Sequence, residues 1–147
     1  MQFDHIGMTA SDLAAGRALL EGALDVTAWT QEFRDEVNDV WVQFGHCPAG
    51  VCYELVAPLS ETSPIGRVLA KRINVLNHLA YLVDDLAVSC TKLAAMEFVS
   101  VAAPKPAIAY GGRSIQFFVA PTRLMIELIE APGHTHVFDF PPSPRIP

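Results

Sequence analysis

Thiols are scarce and poorly placed for cross-linking. Cys47, Cys52 and Cys90 are odd in number and have no CxxC spacing, so neither a disulfide framework nor a thiolate zinc site is indicated. They read as ordinary buried thiols. Basic charge is also short: 10 Lys and Arg against 16 Asp and Glu give a formal charge of −6. No positive field is left to neutralise phosphates, which excludes nucleic acid as a partner. No run reaches the roughly 18 apolar residues of a membrane span. The start Met1-Gln2-Phe3-Asp4-His5 lacks the basic and apolar regions of a secretory signal. These absences point to a soluble, cytoplasmic protein without a membrane partner.

What is present is a body that should fold, since hydrophobic residues make up 51% and charged residues 18% of 147. Within it the sequence repeats itself. Phe3-Asp4-His5-Ile6-Gly7 resembles Leu76-Asn77-His78-Leu79-Ala80, and Tyr53-Glu54-Leu55-Val56 resembles Ile126-Glu127-Leu128-Ile129, both at a shift of 73 residues. The same shift carries Asp12-Leu13 onto Asp85-Leu86 and Gln43-Phe44 onto Gln116-Phe117. One translation matching four segments indicates an internal duplication.

Each half reads as βαβββ. In the first, Gln2 to Met8 alternates like a strand, and Ser11 or Asp12 caps a helix carrying Leu13, Leu20 and Leu24 on one stripe. Strand-like runs follow at Val26 to Arg34, Val40 to Phe44 and Cys52 to Val56. In the second, Val75 to Val83 precedes an Asp84/Asp85 cap and a helix to about Met96. Strands near Phe98 to Ala102, Arg113 to Val119 and Leu124 to Glu130 complete it, with Gly111-Gly112 supplying a turn. The expected organisation is a first module over 1–58, a linker over 59–74, a second module over 75–131 and a proline-rich tail over 132–147. Ser63-Pro64 opens a short linker helix reaching Arg72. The tail is expected to be extended or disordered.

His5 and Glu54 stand on the first and last strands of module one, and His78 and Glu127 occupy the same places in module two. If the two sheets form one curved surface, four side chains from four strands converge between the modules. Two imidazoles and two carboxylates without a thiolate suit one divalent ion: Zn, Ni, Co, Mn or Fe. Both glutamates interrupt strongly apolar strands, and a buried carboxylate needs a cation or a proton. Taken singly, each of these residues reads as easily as a hydrogen-bonded core histidine or a solvent-facing glutamate; four under one shift do not.

With these residues the sequence resembles the vicinal-oxygen-chelate superfamily, which includes glyoxalase I, methylmalonyl-CoA epimerase, extradiol dioxygenases and the metal-free bleomycin-resistance proteins. The resemblance covers about residues 3 to 131. It implies an α+β fold, a single domain of two tandem βαβββ modules forming a cupped mixed sheet with helices outside. It also implies a homodimer and a metal held by His5, Glu54, His78 and Glu127. The stretch from Glu54 to Leu59 and on through Ser63-Pro64-Ile65-Gly66-Arg67, with Asn77-His78-Leu79-Ala80, Val83-Asp84-Asp85-Leu86 and Gly111-Gly112-Arg113, is similar to methylmalonyl-CoA epimerases.

The implied chemistry is metal-assisted proton transfer α to a carbonyl, with Glu127 or Glu54 as the catalytic base. The implied substrate is a small molecule such as an acyl-CoA thioester or an α-oxo acid. Gln43, Gln116 and Arg113 are candidates for touching it, equally readable as outward strand or solvated residues. Some epimerases carry a further glutamate on the third strand of module one, where Trp41, Val42 and Gln43 stand here. Met8, Thr9 and Ala10 replace the arginine of glutathione-dependent glyoxalases. The competing readings are a metal-free protein that sequesters an antibiotic or other small molecule, a glyoxalase I-like lyase, and an extradiol dioxygenase. Tyr110, Trp29 and Trp41 read as wall or core aromatics, and His46, His134 and His136 as turn or tail residues.

Overall fold

Two aspartates 73 positions apart start the two long helices in the same way. Asp12 accepts a hydrogen bond from the Ala15 backbone N at 2.7 Å, and Asp85 from that of Val88 at 2.9 Å. Each is an N-cap satisfying an amide the helix cannot. In this computed structural model residues 1–71, 76–133 and 136–139 are described. The first half comprises Gln2–Thr9 (β1), Leu13–Leu24 (α1), Ala28–Trp29 (β2), Phe33–Asp35 (β3), Val40–His46 (β4) and Cys52–Pro58 (β5). Pro64–Ala70 (α2) follows. The second half comprises Leu76–Val83 (β6), Leu86–Ala95 (α3), Val99–Ser100 (β7), Lys105–Ala107 (β8), Arg113–Val119 (β9) and Met125–Glu130 (β10).

All ten strands form one mixed sheet with β1 and β6 antiparallel at its centre. On either side the order mirrors itself: β5 lies parallel to β1 and antiparallel to β4, and β10 lies parallel to β6 and antiparallel to β9. The two halves of one chain therefore meet directly, strand to strand. Strand alternation sorts the side chains. Leu55 and Leu128 pack beneath the helices, with Leu13 and Leu20 on one side and Leu86 and Leu93 on the other. Val56 and Ile129 turn to the opposite face, into a core shared by both halves with Val42, Phe44, Leu82, Tyr110 and Ile115.

Several boundaries differ from the sequence reading for identifiable reasons. Leu24 does not join the apolar stripe. Helix α1 ends there, with Asp25 in the left-handed conformation, and Leu24 is exposed while Gly16 takes an interior place. The run Val26 to Arg34 is broken into β2 and β3, both antiparallel to β4 but one residue apart in register: Ala28 faces His46 and Phe33 faces Val42. The strand near Phe98 to Ala102 likewise shrinks to β7, and an unforeseen β8 contains Pro106, tolerated because the strand lies at the sheet edge. The linker helix stops at Ala70; Arg72 and Val75 lie outside the described residues. Gly111 and Gly112 do turn with positive φ, 64° and 81°. The tail departs from expectation, since Val137 is buried in the shared core and opens a 3-10 turn, Val137–Asp139. His134 and residues 140–147 lie outside the described residues.

Candidate metal centre

The alternation of β1 fails where the chemistry begins. Asp4 and His5 are adjacent yet both buried, because the β1–β6 register shifts between Phe3 and His5 and leaves Asp4 as the extra residue of a bulge. A second shift, between Gly7 and Met8, makes Asn77 the extra residue on β6. Each bulge residue accepts from the histidine that follows it: His5 Nδ1 lies 2.8 Å from Asp4 Oδ2, and His78 Nδ1 lies 3.0 Å from Asn77 Oδ1. An acceptor at Nδ1 fixes a ring proton there, so the proton each ring gives up to bind a metal is the one on Nε2, which faces the space between the modules.

Glu54 on β5 and Glu127 on β10 complete the group. Residues His5, Glu54, His78 and Glu127 are all buried, and each offers a ligand atom within 4.8 Å of the others. The two Nε2 atoms are 3.2 Å apart; Glu54 Oε2 is 3.4 and 3.2 Å from them, and Glu127 Oε2 is 3.4 and 3.1 Å from them. Four ligands on bonds of about 2.0–2.1 Å in a tetrahedron are about 3.3 Å apart. Glu127 Oε2 is buried and accepts no hydrogen bond, although His78 Nε2 is close. Two imidazole nitrogens and two carboxylate oxygens converging at these distances form a site that a divalent cation fits once the rings give up their Nε2 protons.

The protonation of these groups shows the same demand. Burial alone would lower the pKa of His5, but the Glu54 charge and contacts with Asp4 and Glu127 raise it well above the usual 6.5. His78 is raised against burial by Glu127 and Glu54. Burial would raise Glu54, yet His5 and His78 hold it at about 2. A cation or a proton is drawn to this point, and the two compete for the same Nε2 atoms.

Above the group lies a cavity of ≈ 330 Å³ bordered by Glu54, His78 and Glu127 but not by His5. Its walls are apolar, with Val42, Val56, Ile65, Ile115 and Phe117, and Lys105 is the one lysine or arginine among the bordering residues. The glutamines that were candidates for touching substrate, or equally for facing outward, have their amides engaged within the protein. Gln43 lies away from the cavity and donates to Thr30 O at 2.9 Å. Gln116 borders the cavity, but its amide is engaged by Cys90 Sγ, Ser100 Oγ and Ala102 O. Both brace the broken edge strand of their own module. Arg113 opens β9 and does not border the cavity. Asp35 does, yet its carboxylate accepts from Asn38 and from the Ile108 backbone N.

Two residues of the site escaped sequence reasoning. Asp4 is 1% exposed, and Tyr110 is buried with its hydroxyl donating to Asp4 Oδ2 at 2.5 Å. Burial, with the Asp4 and Glu127 charges, raises Tyr110 well above the ordinary range, so it keeps this proton. The pairing of Asp4 with Asn77 under the repeat was the available signal; nothing in the sequence placed Tyr110 beside them.

The family model of the glyoxalase/bleomycin resistance protein/dioxygenase superfamily matches residues 4–117. The uncharacterized protein YqjC of Bacillus subtilis (strain 168) is 29% identical over 140 residues, covering 92% of this chain and 96% of that protein. Among solved structures, methylmalonyl-CoA epimerase from Mycobacterium tuberculosis superposes with a TM-score of 0.73 at 26% identity, covering 89% of each chain. A hypothetical protein from Bacillus halodurans C-125 superposes with a TM-score of 0.77 at 20% identity, covering 90% of this chain and 96% of that one.

Proposed function

The chain belongs to the glyoxalase/bleomycin resistance protein/dioxygenase superfamily, and from that premise we propose that it is a metal-dependent epimerase or isomerase, similar to methylmalonyl-CoA epimerase, that moves a proton α to a carbonyl. The observation that carries this reading is the four-acceptor group at the floor of an apolar cavity. His5, Glu54, His78 and Glu127 hold one divalent ion, whose Lewis acidity stabilises negative charge on a substrate oxygen. The chain's part is to bind, orient and take the proton. Asp35, Glu54 and Glu127 are the carboxylates bordering the cavity, and Asp35 is held by Asn38 and Ile108. Glu127 or Glu54 is therefore the proton acceptor.

The apolar walls suit a short acyl chain, and Lys105 at the border suits an anionic group. Together they favour an acyl-CoA thioester or an α-oxo acid as substrate, handled by a homodimer as in the resemblance. A metal-free binding protein is the second reading, favoured by the same apolar cavity. Two imidazoles and two carboxylates buried together with ligand atoms within 4.8 Å of one another weigh against it.

Elemental analysis of untagged protein, before and after chelation, separates the two. About one transition-metal ion per chain, lost in His78→Ala, is expected. Solvent deuterium exchange into acyl-CoA thioesters bearing an α-proton should then be detectable and should collapse in Glu127→Gln or Glu54→Gln. No metal in wild type, even after reconstitution, sinks the enzyme reading and leaves the binder.

A further inference from the structure

We infer that Asp4 is a positioning residue of the metal centre and that Tyr110 and the C-terminal segment at His136 and Val137 lock it in place. The inference rests on the metal-centre reading above. Asp4 is a buried carboxylate whose oxygens are all committed to other parts of the chain. Its Oδ2 accepts from His5 Nδ1 at 2.8 Å and from the Tyr110 hydroxyl at 2.5 Å, and its Oδ1 accepts from the Val137 backbone N at 3.1 Å. His136 Nε2 donates to the Asp4 carbonyl at 3.0 Å. The donors other than His5 come from 106 and more than 130 residues away in sequence.

A carboxylate accepts the Nδ1 proton more strongly than an amide does, and so strengthens the lone pair on Nε2. Asn77 performs the same contact for His78 through an amide oxygen, and it borders the cavity where Asp4 does not. The two rings are consequently unequal. His5 is the anchoring ligand, sealed behind Tyr110 and Val137, and His78 is the yielding one on the substrate side. The C-terminal segment then sets how firmly the ion is held without touching it.

Chelator competition for zinc and proton resonances of ¹⁵N-histidine-labelled protein test this, in metal-free and zinc-loaded samples. Asp4→Asn should weaken zinc binding by about 10- to 100-fold and move the His5 Nδ1 proton, leaving that of His78 in place. Tyr110→Phe, which removes one hydroxyl and keeps the ring, should move the same resonance and weaken zinc by roughly a few-fold. Val137→Pro, which deletes the backbone donor, should act in the same direction. Zinc affinities unchanged in Asp4→Asn and Tyr110→Phe, with an unmoved His5 resonance, overturn the inference. A wild type that takes up no zinc sinks the metal-centre reading. The metal-free resonance still decides the role of Asp4 in that case: moved by Asp4→Asn and Tyr110→Phe it stands, unmoved it falls.

Discussion

In the first half of the chain the histidine facing the other module follows an aspartate and lies opposite Ala80; in the second it follows an asparagine and lies opposite Gly7. Both halves keep a bulge before the histidine, a ring proton at Nδ1 and an Nε2 within 3.1–3.4 Å of both glutamates. They differ in what surrounds the ring. His5 is closed in by Phe44, Tyr110 and Asp4, whereas His78 borders the cavity beside Asn77. A duplication that retains its donor atoms while changing their surroundings separates two requirements, holding an ion and admitting a substrate.

Gly7→Ala is expected to break that comparison most severely. A Cβ at Gly7 would stand 2.1 Å from Cε1 and 2.4 Å from both nitrogens of the His78 ring. The ring must leave, taking Nε2 out of the group, and metal affinity should fall about 100-fold or more. The matching change, Ala80→Gly, removes a side chain beside His5 and should cost about 1 kcal/mol of stability through backbone entropy while retaining the metal. Equal metal affinity in the two variants would show that the ring of His78 is not a ligand.

The second way to sharpen the comparison is acidity. His5 and His78 hold protons above the usual 6.5, and both must shed them to bind an ion. Apparent affinity should climb with pH through the raised values, by up to about two decades per pH unit, and then level off. For the metal-free chain the sign reverses. A raised imidazole pKa stabilises the fold fully below the unfolded value of about 6.5, and that contribution is lost as pH rises through the folded value. Thermal melts of loaded and metal-free protein should therefore diverge on going from acid to alkaline buffer. Parallel curves would mean that the histidines do not titrate against the metal.

The helix caps should behave alike. Asp12→Ala and Asp85→Ala each remove one side-chain bond to an N-terminal amide, and each should cost about 1 kcal/mol in denaturant unfolding. A second transition or a lowered m-value in either variant would mean that the modules do not share one cooperative core.

Much of this pairing was readable from residue types alone, because a duplication makes each half a check on the other. The two caps and the four buried acceptor residues followed from residue types at matched positions, and the Gly111-Gly112 turn from its own dipeptide. The bulges did not follow, since Asp4-His5 and Asn77-His78 look like ordinary alternating strand, and a one-residue register shift depends on the partner strand. The two readings left open for Gln43 and Gln116 have the same origin. Both sit next to cup-facing phenylalanines, and only the pleat sends their amides to the edge strands. Burial of Val137 was hidden as well, because a lone valine in a tail gives no periodic signal.

The smallest expected effect lies in the turn that joins the last two strands of each half. Cys47 N bonds to Val51 O and Gly50 N to Cys47 O; in the second half Ala120 N bonds to Leu124 O and Arg123 N to Ala120 O. Pro48 and Pro121 occupy the same place, and the following left-handed position is Gly50 at φ 87° in one and Arg123 at φ 66° in the other. A residue with a Cβ loses about 1–2 kcal/mol in that conformation, and glycine returns part of the difference through the greater entropy of its unfolded chain. Arg123→Gly should thus raise stability by about 0.5–1 kcal/mol, and Gly50→Ala should lower it by a similar amount. Urea unfolding of both variants measures this. A destabilised Arg123→Gly would show that the arginine side chain contributes contacts outweighing the strain of its backbone, and the two turns would then be alike in geometry but not in what holds them.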